Sequence, residues 1–170
     1  KVEKYWKTND PYIEEKRVHN AIADFAEGRG HFQGDLKKIC AFIIEPYQGW
    51  GAVFYPEDYI RSMFNWCREN DVLFIADEIQ SGFGRTGELF AYQHYKVEPD
   101  LVVCGKGISG GMPLSAVLGA SNIIELDSSL TSTHGGHPIA CAGALGNLID
   151  YERYNLTHEA DKKGTYLKKR

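Results

Sequence analysis

The chain has 170 residues, of which 43% are hydrophobic, 12% aromatic and 25% charged. That is the profile of a folded domain with enough apolar material for a core. Its formal net charge of −4 argues against nucleic acid or an anionic membrane as the main partner. The four cysteines form no CxxC pair, and no apolar stretch approaches the roughly 20 residues of a membrane span. We therefore expect buried, reduced thiols and a cytoplasmic location.

The composition of the chain changes from polar to apolar at residue 39. Residues 1–38 are polar and glycine-interrupted, which predicts a partly irregular lead-in with one helical patch at 14–26. Residues 39–44 form a continuous apolar run that ends at Glu45, as expected of a strand buried on both faces. A turn-rich stretch follows at 47–55.

A helix is predicted to begin at Pro56, because proline and acidic residues favour the first turn of a helix. Its apolar side chains recur at the i, i+3, i+4, i+7 spacing of an inward-facing helical surface. They are Ile60, Met63, Phe64 and Cys67.

The rest of the chain alternates between apolar runs, glycine-containing loops and helical patterns. The predicted elements are a strand at 72–76, a loop at 81–87, a short helix at 89–95, strands at 101–104 and 114–119, a loop at 132–137 and a helix at 138–151. This alternation predicts an α/β fold whose mostly parallel sheet carries helices on both faces.

A polar residue follows each of three predicted strands: Glu45, Asp77 and Lys106. Ligands of open α/β sheets bind beyond the carboxyl ends of the strands. Two acids and a lysine are therefore expected to converge on one pocket.

Lys106 lies between Gly105 and Gly107, and small neighbours let a bulky group approach the backbone. A partly desolvated lysine has a lowered pKa and attacks carbonyl carbons to form a Schiff base. The alternative is a solvated lysine in a flexible loop. A nucleotide-binding phosphate loop is excluded, because Asp100 and Gly107 stand where it requires glycine and Ser or Thr.

Asp77 is a carboxylate directly after five apolar residues, where its desolvation needs a partner. One interpretation is structural: Asp77 caps a helix or forms an ion pair, for example with Arg85. The other is functional: Asp77 is the acid that keeps a cofactor's pyridine nitrogen protonated. In the last case Gln80 can donate a hydrogen bond to the phenolic oxygen of the same ring.

Thr133 precedes a predicted helix, in a position that suits either an anion such as a cofactor phosphate or a simple helix cap. The nearby His134 and His137 could suggest a metal pair, but no third ligand is adjacent in the sequence.

Four segments resemble, in order and spacing, the class III aminotransferases, the ornithine, acetylornithine and 4-aminobutyrate group of fold-type I pyridoxal-phosphate (PLP) enzymes. Residues 43–49 (IIEPYQG) resemble the family's EPxQG, and 75–87 (IADEIQSGFGRTG) resemble its DEVQTGxGRTG. Residues 99–114 resemble the segment around the cofactor lysine, and 133–141 resemble TxGGNPxxC, with His137 in place of its asparagine. The 29 residues from Asp77 to Lys106 also match.

The resemblance implies a role for each candidate residue. Lys106 would form the internal aldimine and move the substrate proton, Asp77 would pair with the pyridine nitrogen and Gln80 would contact the phenolic oxygen. Thr133 would bind the phosphate of the neighbouring subunit's cofactor in a homodimer, and Glu45 would engage a substrate-recognition arginine. An amine or amino acid would then give its nitrogen to a 2-oxo acid or aldehyde.

The resemblance also implies a domain organisation: lead-in 1–38, PLP-binding large-domain core 39–152 and, at 153–170, the connection toward a C-terminal small domain. Family members run well over twice this length, so we expect the chain to be a piece of a larger protein. Two alternatives stay open, a fold-type I racemase, epimerase or aminomutase and a non-catalytic binding or scaffold fragment.

Overall fold

The structure, a computed structural model, describes residues 39–125 and 132–170. The helical patch predicted at 14–26 lies outside these residues. The described strands are β1 (Ala41–Ile44), β2 (Tyr47–Gln48), β3 (Val53–Phe54), β4 (Leu73–Asp77), β5 (Leu101–Cys104) and β6 (Ala116–Gly119). The helices are α1 (Glu57–Glu69), α2 (Ser121–Ile124), α3 (Pro138–Tyr154) and α4 (Leu156–Lys168), with 3₁₀ helices at Ala91–Tyr95 and Lys106–Ser109.

The main sheet has the strand order β1-β4-β5-β6. β1, β4 and β5 run parallel, with Ile44 opposite Ala76 and Asp77 opposite Val103, whereas β6 runs antiparallel to β5. Parallel strands require crossover connections, and α1 supplies the one between β1 and β4. The predicted α/β fold with a mostly parallel sheet is therefore confirmed.

The largest core cluster lies between α1 and β4. Ile60, Met63 and Cys67 of α1 pack with Phe74 of β4 and with Tyr95 of the following 3₁₀ helix. The predicted inward face of the helix is thus confirmed. Pro56 caps the helix rather than forming its first turn, and acidic side chains occupy that turn, where they complement the helix dipole.

Several expectations need correction. β1 is not buried on both faces: Ile43 is 59% exposed, because no described element covers its side of the sheet. The turn-rich stretch after it contains the short antiparallel ribbon β2-β3. The predicted helix at 89–95 is a shorter 3₁₀ helix. Cys67 and Cys104 are buried as expected, but Cys40 and Cys141 are exposed.

Among the described residues, no helix combines the length and the apolar character needed to cross a membrane.

Candidate active site

A cavity of about 380 Å³ opens beside the carboxyl ends of β4 and β5. That volume is in the usual range of small-molecule sites. The lining includes Tyr47, Gly49, Gln80, Arg85, Lys106 and Tyr151. The cavity therefore combines a lysine, a carboxamide and a guanidinium with three aromatic residues, Tyr47, Phe83 and Tyr151, and such groups can bind an anionic aromatic ligand.

Lys106 follows β5 after a single glycine and begins the Lys106–Ser109 3₁₀ helix. Its backbone φ is +33°, in the left-handed region that costs a residue with a side chain free energy. Its side chain lines the cavity but is exposed, and it forms no ion pair with any described carboxylate. The expected partial desolvation is thus not supplied by the described residues, because no described element covers the side chain.

Asp77 ends β4 one strand away from Lys106, and its side chain is partly buried. Its Oδ1 accepts a hydrogen bond from the Ile79 N–H at 3.1 Å. No donor among the described residues contacts Oδ2, and the ion pair with Arg85 that the sequence left open is not formed within them. Asp77 is not part of the cavity lining.

Gln80 does line the cavity, and its amide hydrogen-bonds no described residue. Gly49 makes room for it: a Cβ at this position would lie 2.1 Å from Gln80 Cδ and 2.4 Å from Nε2. Only glycine permits this approach. The loop after β1, which contains Gly49, therefore packs closely against the loop after β4, which contains Gln80, at the point where the Gln80 side chain enters the cavity.

Glu45 and Thr133 lie outside the lining. Glu45 is exposed and its Oε2 accepts a hydrogen bond from Gly49 N–H at 3.1 Å, so the carboxylate tightens the loop that carries Gly49. Thr133 is exposed in the loop before α3, and the cap of that helix is His137, whose Nδ1 accepts from Ile139 N–H. No cluster of three or more potential metal ligands exists within the described ranges.

Glu78 was not among the site residues predicted from the sequence. It is fully buried, and its Oε2 accepts hydrogen bonds from Ser81 Oγ at 2.5 Å and Ala91 N–H at 3.0 Å. Its Oε1 accepts from Tyr92 N–H at 2.8 Å. The carboxylate thus ties the loop that bears Gln80 to the start of the Ala91–Tyr95 3₁₀ helix.

Arg85 and Tyr151 were not predicted as pocket residues. The Tyr151 hydroxyl donates to the backbone carbonyl of Phe83, a residue with a left-handed φ of 57°. Burial raises the pKa of Tyr151, and the positive charge of Arg85 opposes that rise. Arg85 itself is exposed and forms no ion pair with any described acid, so its charge is free to attract an anion.

Comparisons with known proteins identify the family that the sequence resembles. The sequence model of the family described as aminotransferase class-III matches residues 3–170. A 4-aminobutyrate aminotransferase of Mycobacterium leprae is 44% identical over 127 residues, which are 73% of this chain and 28% of the relative.

Solved structures give the same result. An (S)-enantioselective omega-transaminase from Thermomicrobium roseum superposes with a TM-score of 0.81 at 36% identity, covering 90% of this chain and 36% of that one. An ornithine aminotransferase from Toxoplasma gondii, described with partial occupancy of PLP at its active site, superposes with a TM-score of 0.73 at 34% identity over 89% of this chain and 34% of that one. The chain thus spans about a third of the length of the relatives it matches.

Proposed function

This chain belongs to the class-III aminotransferase family, and we infer from that membership and from the cavity that the complete protein is a PLP-dependent transaminase. It would move an amino group from an amine or amino acid to a 2-oxo acid or aldehyde. The observation that carries the proposal is that Lys106 and Gln80 line one cavity at the carboxyl ends of parallel strands, where α/β folds bind ligands.

The residues present fit the cofactor. Lys106 has an accessible amine without a described ion pair, and Gln80 has an unused carboxamide in the same cavity. Asp77 keeps one carboxylate oxygen free of described donors, as an acid that pairs with a protonated ring nitrogen requires. PLP, when bound, supplies an electron sink that stabilises negative charge on the carbon bearing the amino group.

Each candidate residue of the chain would then have a separate role in the reaction. Lys106 Nζ would hold the cofactor, and it would take the substrate's proton and return it. Asp77 would keep the ring nitrogen protonated, and Gln80 would donate a hydrogen bond to the phenolic oxygen. Glu45 is exposed and accepts a hydrogen bond from Gly49 N–H, and its proposed role is to pair with a substrate-recognition arginine.

Three further parts of the proposal concern the whole protein. Thr133 would contact the phosphate of a neighbouring subunit's cofactor, which makes the enzyme a homodimer with shared sites, and its exposure leaves it accessible to such a neighbour. Residues 39–152 would form the PLP-binding core, with 153–170 leading toward a small domain. The absence of disulfides among the described cysteines is compatible with a cytoplasmic location.

The test uses the complete protein and its Lys106→Ala variant, with Lys168→Ala as a control that removes an exposed lysine of α4. The wild type and the control should show the visible absorbance of lysine-bound PLP, and Lys106→Ala should lack it. A stoichiometric conversion of 2-oxo acid to amino acid would separate a transaminase from a racemase or aminomutase. A wild type that neither binds PLP nor consumes 2-oxo acid would leave only a binding or scaffold role.

A further inference from the structure

One face of α3 lies directly against the 3₁₀ helix that begins at Lys106. Ala140 and Ala144 are buried on this face, and Gly143 permits a close approach. A Cβ at Gly143 would lie 3.2 Å from the carbonyl oxygen of Ser109. The small residues therefore bring the helix backbone close to the turn, and the next residue on the same face, one turn further along, is Asn147.

Asn147 is partly buried, and its side-chain amide reaches the backbone just after the lysine. Its Nδ2 donates to the carbonyl oxygen of Gly107 at 2.6 Å and lies 3.3 Å from that of Ile108. Neither carbonyl belongs to a strand, so without this donor each would need another partner or water. The amide thus clamps the peptide groups that contain the Gly107 and Ile108 carbonyls, which follow shortly after Lys106.

The clamp acts where the backbone is strained. Lys106 has a φ of +33°, and a residue with a side chain stays in the left-handed region only when its surroundings enforce it. On one side the Ile108 N–H donates to the Gly105 carbonyl at 3.0 Å. On the other side the Asn147 amide holds the carbonyls of Gly107 and Ile108.

We propose that Asn147 is a positioning residue for Lys106, which fixes the backbone from which the lysine side chain enters the cavity. The inference rests on the proposed role of Lys106 as the cofactor-binding lysine. It adds that helix α3 determines where the reactive amine lies, through a single carboxamide. A small displacement of a reacting group costs up to about a hundredfold in rate, so loss of the clamp should be visible in the chemistry of Lys106.

The experiment compares the complete wild-type protein with Asn147→Asp, Asn147→Ala and the control Asn65→Asp. Aspartate keeps the shape of asparagine but has no N–H to give to the two carbonyls, and alanine removes the donor without adding charge. Asn65 is exposed on α1, so its variant makes the same charge change away from the cavity. Each protein is stripped of cofactor and mixed with PLP, and the lysine-bound absorbance is followed over time and against pH.

We expect Asn147→Asp and Asn147→Ala to slow formation of the bound absorbance about ten- to a hundredfold, to shift its pH midpoint, and to lower kcat more than they raise KM. Asn65→Asp should match the wild type. Lower melting temperatures with unchanged rate, pH midpoint and kcat would show that Asn147 only stabilises the fold, which overturns the proposal. If Asn147→Asp does not fold, Asn147→Ala decides by the same criteria. A wild type without lysine-bound absorbance would instead refute the proposed function itself.

Discussion

Replacing Glu78 by alanine is expected to destabilise the fold far more than any substitution of an exposed acid. Its carboxylate is fully buried and accepts hydrogen bonds from Ser81 Oγ, Ala91 N–H and Tyr92 N–H. The hydroxyl can rotate to another acceptor, but the two backbone amides cannot. Leaving these two buried amides without an acceptor is the main cause of the expected loss in the free energy of unfolding.

The magnitude follows from those two amides. A buried donor left without its partner costs about 1–3 kcal/mol, so Glu78→Ala should lower the free energy of unfolding by about 2–6 kcal/mol. Glu78→Gln keeps the shape and one acceptor oxygen. Its NH₂ group, however, must face one of the donors that the carboxylate satisfied. The glutamine variant should therefore lose about half as much.

The assay is urea unfolding of the complete protein, with Glu69→Gln as the control because Glu69 is an exposed acid at the end of α1. The predicted order of stability is control, then Glu78→Gln, then Glu78→Ala. If both Glu78 variants unfold within about 0.5 kcal/mol of the control, the range of ordinary surface substitutions, the hydrogen bonds do not stabilise the fold as the structure indicates.

Three other predictions concern the core, an ion pair and the thiols. Phe74→Ala should cost about 3–5 kcal/mol in urea unfolding, because Phe74 is fully buried in the α1–β4 cluster; a loss below 1 kcal/mol would contradict this packing. Arg68→Ala should cost only about 1 kcal/mol by the same assay, because in its 2.6 Å ion pair with Asp100 the arginine side chain is 43% exposed; a much larger loss would show that the pair, in which Asp100 is 14% exposed, is shielded from water. Burial raises the pKa of the thiols of Cys67 and Cys104 from 9.0 to about 11. Deprotonation of these thiols then favours the unfolded chain, so the free energy of unfolding should fall between pH 9 and 11. A free energy of unfolding that stays constant over this range would contradict the burial of the two thiols.

The sequence predicted a pocket beyond the carboxyl ends of the strands, and a cavity lined by Lys106 lies there, but Glu45 and Asp77 do not line it. Glu45, Asp77 and Lys106 follow strands that are parallel and adjacent, and the carboxyl ends of parallel strands necessarily meet at one edge. The amphipathic face of α1 was predictable for a similar reason, because the helical period alone determines which side chains share a face.

The side-chain environment was not predictable in the same way. Asp77 and Glu78 are adjacent acids with the same local pattern, yet Glu78 is the buried one because the amides of Ala91 and Tyr92, 13 and 14 residues further along, reach its carboxylate. Asn147 contacts Gly107 across 40 residues of sequence. Such contacts depend on how loops and helices pack, which no local period encodes.

The measurement that tests the central claim most directly is the identity of the lysine that binds PLP. The complete protein is loaded with PLP, reduced with borohydride to make the bond permanent, digested, and its peptides are weighed by mass spectrometry. The added mass should appear on the peptide that contains Lys106 and on no other lysine peptide. A label on a different lysine, or none after loading, would contradict the assignment of this cavity as the cofactor site.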